Sequence, residues 1–223
     1  MATVPTDPYE LLHWNMELAH QTYVEGYDVM VKLLTDTPKN DLANVLGYFE
    51  AWAYSVLHHH DTEAFSSQEE AVFPMLNEKM DFSHEQEQHK DVHTFLEKFL
   101  DAIHAAQKDK AKFDAVKLKE LVLSVKDALL THFNEELTHI EPEKMKEAGF
   151  SEAECIDIVT KLVNHAKNNG DPFIVVPYMR SHTPPEYKDI WPPIPWVLRK
   201  VVVPLMLAKR HSGYWKYAPY DMS

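Results

Sequence analysis

Three pairs of metal-binding residue types stand four positions apart in this chain, each in a different segment. The pairs are His59 with Glu63, His89 with His93, and His132 with Glu136. A spacing of four brings two side chains to one face of an α-helix, one turn apart. Apolar residues continue each of these faces at helical spacing, so the six side chains are predicted to point into a helical core. Each would cost about 1–3 kcal/mol if buried without a partner, and a bound metal would remove that cost.

Start and stop signals predict five helices, of which the first four are long. The predicted ranges are 8–34, 37 towards 73, 83–107, 114–146 and 151–169. Start signals open several of them, including Asp7-Pro8, the capping box that begins at Ser83 and the run from Ser151 to Glu154. Only five glycines occur, which argues against glycine-turned barrels and phosphate-binding loops. The sequence therefore predicts an all-α protein, with residues 1–170 forming an up-down four-helix bundle plus a fifth helix.

The composition changes after Gly170. Nine of the 14 prolines lie between 172 and 219, together with three tryptophans. Proline at that density opposes long helices, and the aromatic content is too high for a solvated disordered tail. Residues 171–223 are therefore predicted to be an irregular extension that packs on the bundle and is not an independent domain.

Charge and cysteine content exclude several classes of function. The net charge of −13 argues against nucleic-acid binding, and the single Cys155 excludes a disulfide framework or a thiolate-held cluster. No secretory signal is recognisable at the start, and the longest apolar stretch, 201–208, is too short to span a bilayer. We therefore expect a cytoplasmic protein with no membrane partner, although the basic residues flanking that stretch leave a weak membrane-surface contact open.

The first helix must face the same core as the three pairs. Its candidate ligands are His13, Glu17 and His20, which share one face because they are separated by four and seven residues. The spacing alone does not choose between the two histidines.

The remaining histidines are interpreted as surface or core residues that hold no metal. His58 and His60 flank His59 and are predicted to be structural, pointing elsewhere on the helix. His139 lies on the same face as His132 and is a candidate to support a ligand through a hydrogen bond. The others given the same interpretation are His84, His104, His165, His182 and His211.

The donor set narrows the identity of the metal. Five imidazoles and two carboxylates without a thiolate suit iron or manganese better than a closed structural zinc site. Two six-coordinate ions that share both carboxylates and one oxygen atom would keep one open position. Such a position on a pair of irons is suited to dioxygen.

At these residues the chain resembles the hemerythrin-like family, and its fungal members in particular. The family pattern is one histidine on the first helix, followed by His-x-x-x-Glu, His-x-x-x-His and His-x-x-x-Glu. The ranges 18–20 and 87–93 are similar to the fungal proteins, as are the tail ranges 191–195 and 214–219. The resemblance is strong over residues 8–146 and looser in the tail.

The resemblance implies a non-haem di-iron centre bridged by an oxo or hydroxo group, with manganese or zinc as substitutes. The implied ligands are His20, His59, Glu63, His89, His93, His132 and Glu136. The histidines of the third and fourth helices would hold one iron, and those of the first two helices the iron with the open position. The two glutamates would bridge the ions.

One departure from the family pattern concerns the second helix. In the family a Phe-Pro pair follows the glutamate after about six residues, whereas here Phe73-Pro74 lies further on, after an extra stretch at 64–68. Glu70 lies seven residues after Glu63 on the same face, so it is the rival carboxylate.

Three functions follow as hypotheses, since a fold does not determine chemistry. The first is an oxygen-dependent oxidoreductase, an oxygenase or oxidase acting on a small organic substrate with an external reductant. In this case the tail would form a wall or lid of the substrate pocket. The second is a non-catalytic protein that binds, stores or senses dioxygen, nitric oxide or iron. The third is a structural bundle whose tail docks on a membrane or partner. We prefer the first.

Overall fold

The computed structural model describes residues 2–64 and 72–222, and these are mostly helical with no β-strand. The α-helices are α1 (Pro8–Thr35), α2 (Leu42–Ala64), α3 (Val72–Leu76), α4 (Ser83–Lys108), α5 (Ala115–His139), α6 (Pro142–Glu147), α7 (Glu152–Asn169), α8 (Val175–His182) and α9 (Ser212–Trp215). A π-helical segment covers Leu198–Leu207. The predicted all-α class is confirmed for these ranges. Within them, no helix combines the length and apolarity that crossing a bilayer requires.

The predicted caps are confirmed at two helix starts. Asp7 caps α1, where its Oδ1 accepts a hydrogen bond from the Tyr9 N–H at 2.8 Å. Ser151 and Glu154 form the reciprocal capping box that opens α7. These caps fix where both helices begin and therefore fix the register of the residues that follow.

The capping box predicted at the start of α4 is wrong, although the helix does begin at Ser83. Phe82 occupies the cap position, and the Ser83 N–H donates instead to Asp81 Oδ1 at 3.0 Å. Glu85, in the first turn of this helix, has a different partner. Its carboxylate is buried and pairs with His139 of α5.

The predicted fourth helix over 114–146 is two helices. α5 ends at His139, and α6 begins with Pro142 at its first position. A proline cannot donate to the helical ladder and restricts the residue before it, but costs little at a first position. The helix predicted from 37 towards 73 corresponds to α2 and α3, and its intervening residues 65–71 lie outside the described part of the chain.

The four long helices form a closed circuit of contacts. α1 packs on α2 and α5, and α4 also packs on α2 and α5, so each long helix touches two of the others. Two apolar clusters fill the interior. The larger contains Trp52, Phe49 and Phe99, and the smaller contains Leu12 and Phe73.

The C-terminal residues pack on α1 and α2 through buried polar contacts, and on α2 the Tyr48 hydroxyl lies 2.6 Å from His182 Nε2. The Tyr178 hydroxyl donates to the Thr22 carbonyl at 2.8 Å, and Trp191 Nε1 donates to Asn15 Oδ1 at 3.1 Å. This region holds more helix than its proline content predicted. In α8, Pro177 lies in the first turn, where backbone N–H groups have no helical partner in any case.

Gly26 on α1 allows the C-terminal region to approach this closely. A Cβ atom there would lie 2.5 Å from Trp52 Cδ1 and closer still to the Tyr178 hydroxyl. We expect Gly26→Ala to lower the free energy of unfolding by about 1–3 kcal/mol, because neither neighbour can retreat without losing contacts. Chemical denaturation measures this loss.

The matched control is Asp28→Ala, at an exposed position of the same helix. It should change the free energy of unfolding by no more than about 0.5 kcal/mol. Equal effects from the two substitutions would contradict the packing of α8 on α1.

Candidate metal centre

A layer of buried polar side chains separates the two apolar clusters. On α1, Met16 belongs to the smaller cluster and Tyr23 to the larger one, and the buried His20 lies between them. His89 of α4 likewise lies between Phe82, which precedes the helix and belongs to the smaller cluster, and Val92 of the larger cluster. The helices therefore bring their ligand-type residues to one level of the interior.

One group in this layer consists of three histidines from three helices. His60, His89 and His132 are buried, and one ring nitrogen of each lies within 4.8 Å of the others. The rings of His60 and His89 are stacked with centroids 4.3 Å apart, and those of His89 and His132 are 4.6 Å apart. Three imidazoles at this spacing are suited to holding one transition-metal ion.

The second group combines two histidines with two carboxylates. His20, His59, Glu63 and Glu136 are all buried, and one ligand atom of each lies within 4.8 Å of the others. His20 Nε2 is 3.1 Å from Glu136 Oε2. His59 Nε2 is also 3.1 Å from a carboxylate oxygen, Glu63 Oε1.

Each carboxylate also approaches a histidine of the first group. Glu63 Oε2 lies 3.6 Å from His89 Nε2, and Glu136 Oε2 lies 3.9 Å from His132 Nε2. Each glutamate therefore lies between one histidine of the first group and one histidine of the second. Carboxylates in such positions can bridge two ions, as binuclear centres require.

The ligand atoms of this layer have no hydrogen-bond partner among the described residues. This holds for Nε2 of the histidines and for both oxygens of each glutamate. His20 Nε2 and His59 Nε2 each lie 3.1 Å from a glutamate oxygen, but these pairs of atoms are not aligned for hydrogen bonding. Each such group costs about 1–3 kcal/mol, so the layer is unfavourable unless it binds something. Imidazole and carboxylate donors fit a pair of metal ions.

Gln88, which was not predicted to have a role, orients one of the ligand-type histidines. Its Oε1 lies 3.2 Å from His132 Nδ1, and its Nε2 donates to Glu135 Oε2 at 2.6 Å. With the amide so oriented, His132 donates from Nδ1 and leaves Nε2 free to bind an ion. The sequence signal was its position beside His89 on a helix facing α5.

Burial shifts the pKa values of the histidines and carboxyls in this layer towards their uncharged forms. It lowers the pKa of His20 to about 3 and that of His89 to about 2, so both rings are neutral near pH 7. It raises the pKa of Glu136 to about 7, and burial together with the nearby Glu136 raises the pKa of Glu63 well above its usual range. Binding a cation through ionised carboxylates must therefore expel protons.

The structure resolves the choice on α1. His20 lies in the second group, whereas His13 is half-buried and Glu17 is exposed, and neither belongs to a group. The structure brings together six of the seven predicted ligands. The exception is His93, which is half-buried, with its ring centroid 5.7 Å from that of His60. His93 and His89 both line a cavity of about 550 Å³ beside α4.

His60 was predicted to be structural and to point elsewhere on the helix than His59, whereas the structure places it among ligand-type residues. Its side chain is fully buried in the three-histidine group. The physical reason is that α2 packs against two neighbours, α1 and α4. His59 faces α1, with its ring 5.1 Å from that of His20, and the adjacent His60 faces α4. The run of three histidines on α2 was the sequence signal for this arrangement.

Three further predictions concern His139, His58 and the rival carboxylate Glu70. His139 does not contact His132 but pairs with Glu85, a buried carboxylate that the sequence analysis did not single out. His58 packs towards α7, with its Nε2 3.2 Å from the Ala166 carbonyl oxygen. The rival carboxylate Glu70 lies outside the described residues.

His60 and His93 are the two candidates to join His89 and His132 in holding one ion. Substitution of each distinguishes them. We expect His60→Ala to reduce the bound metal to about one ion per chain, because it removes a buried donor from the three-histidine group. His93→Ala should retain the wild-type content. Elemental analysis after loading with Zn²⁺ or Fe²⁺ measures both variants.

The control for this comparison is His104→Ala, whose half-exposed ring pairs with Glu50 on the outside of the helices. It should leave the metal content unchanged. Loss of metal in His93→Ala with retention in His60→Ala would return His93 to the ligand set.

A second prediction concerns pH. Below pH 7 the Glu136 carboxyl holds a proton that metal binding must displace, so affinity for Zn²⁺ should rise with pH by about tenfold per unit for each proton released. Above pH 7 the Glu136 carboxyl is already ionised, so it no longer contributes to the rise of Zn²⁺ affinity with pH. His20 and His89 are neutral throughout this range and add no proton. Calorimetric titration at several pH values measures the slope.

Glu136→Gln should bind Zn²⁺ more weakly and with a smaller pH dependence, since the amide carries no titratable proton. Glu120→Gln, at an exposed position on α5, is the control and should retain the wild-type slope. A pH-independent affinity in the unsubstituted protein would contradict the protonated state assigned to these carboxyls.

Comparison with known proteins gives one distant relative to consider. No family model matches the chain, and no solved structure matches it. The chain is 26% identical over 196 residues to the "Dimeric xanthone biosynthesis cluster protein R11" of Cryptosporiopsis sp. (strain 8999). The match covers 83% of this chain and 69% of that protein. Identity at this level establishes similarity to this protein and does not assign the chain to a family.

Proposed function

We propose that this chain is a hemerythrin-like di-iron protein that binds dioxygen and uses it to oxidise a small organic substrate. The observation that carries the proposal is the position of Glu63 and Glu136, each lying between one histidine of the first group and one of the second. In this interpretation the four long helices are the up-down four-helix bundle of that family. The circuit of helix contacts supports this arrangement.

The donors fit iron, with manganese or zinc as substitutes. Neutral imidazoles and carboxylates suit these ions, and the two groups supply five histidines and two glutamates. The single thiol takes no part, because Cys155 lies in the smaller apolar cluster with a pKa raised by burial to about 11. His60, His89 and His132 would hold one ion, and His20 and His59 the other, with the glutamates shared.

Bound iron would supply one-electron redox chemistry and an open position for dioxygen. The protein's own residues prepare the surroundings. Burial of all seven side chains excludes bulk water, and Gln88 fixes the ring of His132.

The substrate class is proposed from the relative and from the aromatic surroundings of the centre. That relative's name places it in dimeric xanthone biosynthesis, and we propose that this chain likewise acts on an oxygenated aromatic compound. Tyr23 lies 5.0 Å from His59 between ring centroids, and Tyr178 of the C-terminal region stacks on Tyr23 at 6.1 Å. The C-terminal region thus reaches the residues that contact the centre. An external reductant would restore the iron, and the cytoplasm is the proposed location.

The second candidate is a non-catalytic protein that carries, stores or senses dioxygen, nitric oxide or iron. The histidine-rich donor set favours it, because typical di-iron oxygenases use more carboxylates. Full burial of the ligands is also compatible with reversible binding. The two candidates differ in what happens after dioxygen binds.

Oxygen exposure of the reduced, iron-loaded protein separates the candidates. We expect a visible absorption band that persists on its own and decays when a hydroxylated xanthone is added, with an oxidised product detected by mass spectrometry. A band that disappears on degassing and returns with oxygen would favour the carrier. No optical change with two irons bound would contradict both.

His59→Ala is the matching variant, because it removes a histidine of the second group. It should slow the reaction with oxygen at least about tenfold while leaving the helical circular dichroism unchanged. His104→Ala serves again as the surface control. Unchanged oxygen kinetics in His59→Ala would contradict the role given to this residue.

A further inference from the structure

The π-helical segment and the residues just before it present a ridge of exposed apolar side chains. Trp196 is 62% exposed and Met206 is 63% exposed, although both are large apolar residues. The ridge consists of Trp196, Val197, Leu198, Val201, Leu205 and Met206. Contiguous exposure of this kind marks an interaction surface.

The opposite side of the same segment is anchored to the protein. Val203 and Ala208 are buried, and the Ala208 carbonyl accepts a hydrogen bond from Trp215 Nε1 at 3.1 Å. Exposed Val197, Val201 and Leu205 recur every four residues, so they share one side of the helical segment. The buried residues on the opposite side of the segment therefore hold the exposed ridge in a fixed position.

Basic residues flank the ridge. The range 196–210 contains four of them and no acidic residue, in a chain whose net charge is −13. They are Arg199, Lys200, Lys209 and Arg210. Lys209 and Arg210 are exposed at one end of the ridge, and Lys200 Nζ lies 3.4 Å from Asp189 Oδ1. The surface is thus apolar along its length and positive at the end that carries Lys209 and Arg210.

We propose that the ridge docks on an anionic membrane surface and lies in the headgroup region without crossing the bilayer. Apolar residues with lysine and arginine beside them are the composition of interfacial helices, and tryptophan favours the membrane interface. Pairing of this face with the same face of a second copy would bring like charges together, which is unfavourable. Anionic headgroups instead complement the basic residues. The proposal is independent of the metal centre.

Flotation of the full-length protein with lipid vesicles tests the proposal. We expect it to float with phosphatidylcholine vesicles that contain about 30% phosphatidylserine, and less with phosphatidylcholine alone. Leu205→Ser combined with Met206→Ser should weaken partitioning about tenfold, because two exposed apolar side chains no longer insert. Val116→Ser with Leu123→Ser, at exposed positions on α5, is the matched control and should float like the unsubstituted protein.

The charge contribution is tested separately. Lys209→Ser with Arg210→Ser should weaken binding to the anionic vesicles about tenfold and leave binding to phosphatidylcholine unchanged. Failure of the unsubstituted protein to float, or equal flotation of the Leu205/Met206 variant, would overturn the proposal. So would sedimentation showing a dimer that this variant dissociates, because a second copy would then be the occupant.

Discussion

The structure depends on the burial of seven ligand-type side chains in one layer of a helical core. Such side chains are expensive to bury, and their ligand atoms have no hydrogen-bond partner among the described residues. Apolar clusters on both sides of the layer confine these atoms to a small volume. The helical packing therefore holds the ligand atoms in place. A bound metal would offset the free-energy cost of burying them without hydrogen-bond partners.

Helix packing determines how the two groups share their ligands. α2 touches both α1 and α4, so its neighbouring residues His59 and His60 serve different groups. Glu63, one turn later, contacts a histidine of each. α5 provides the equivalent carboxylate, Glu136, from the opposite side. The C-terminal region adds Tyr178, which stacks on the tyrosine next to the centre.

Much of this layer could be predicted from the sequence, because a spacing of four and an apolar helix face act locally. Such local signals predicted the inward direction of His132 and Glu136. They also predicted the helix starts at Asp7 and Ser151. The role of His60 was not predictable from spacing, since it depends on which two helices lie beside α2. The pairing of Glu85 with His139 is equally non-local, because it joins the start of α4 to the end of α5.

Iron anomalous scattering from crystals of the iron-loaded protein tests the central claim most directly. We expect two peaks within the helical core. One should be surrounded by His60, His89 and His132 and the other by His20 and His59, with Glu63 and Glu136 between them. A core without a peak, or iron only at an exposed side chain such as His84, would contradict it.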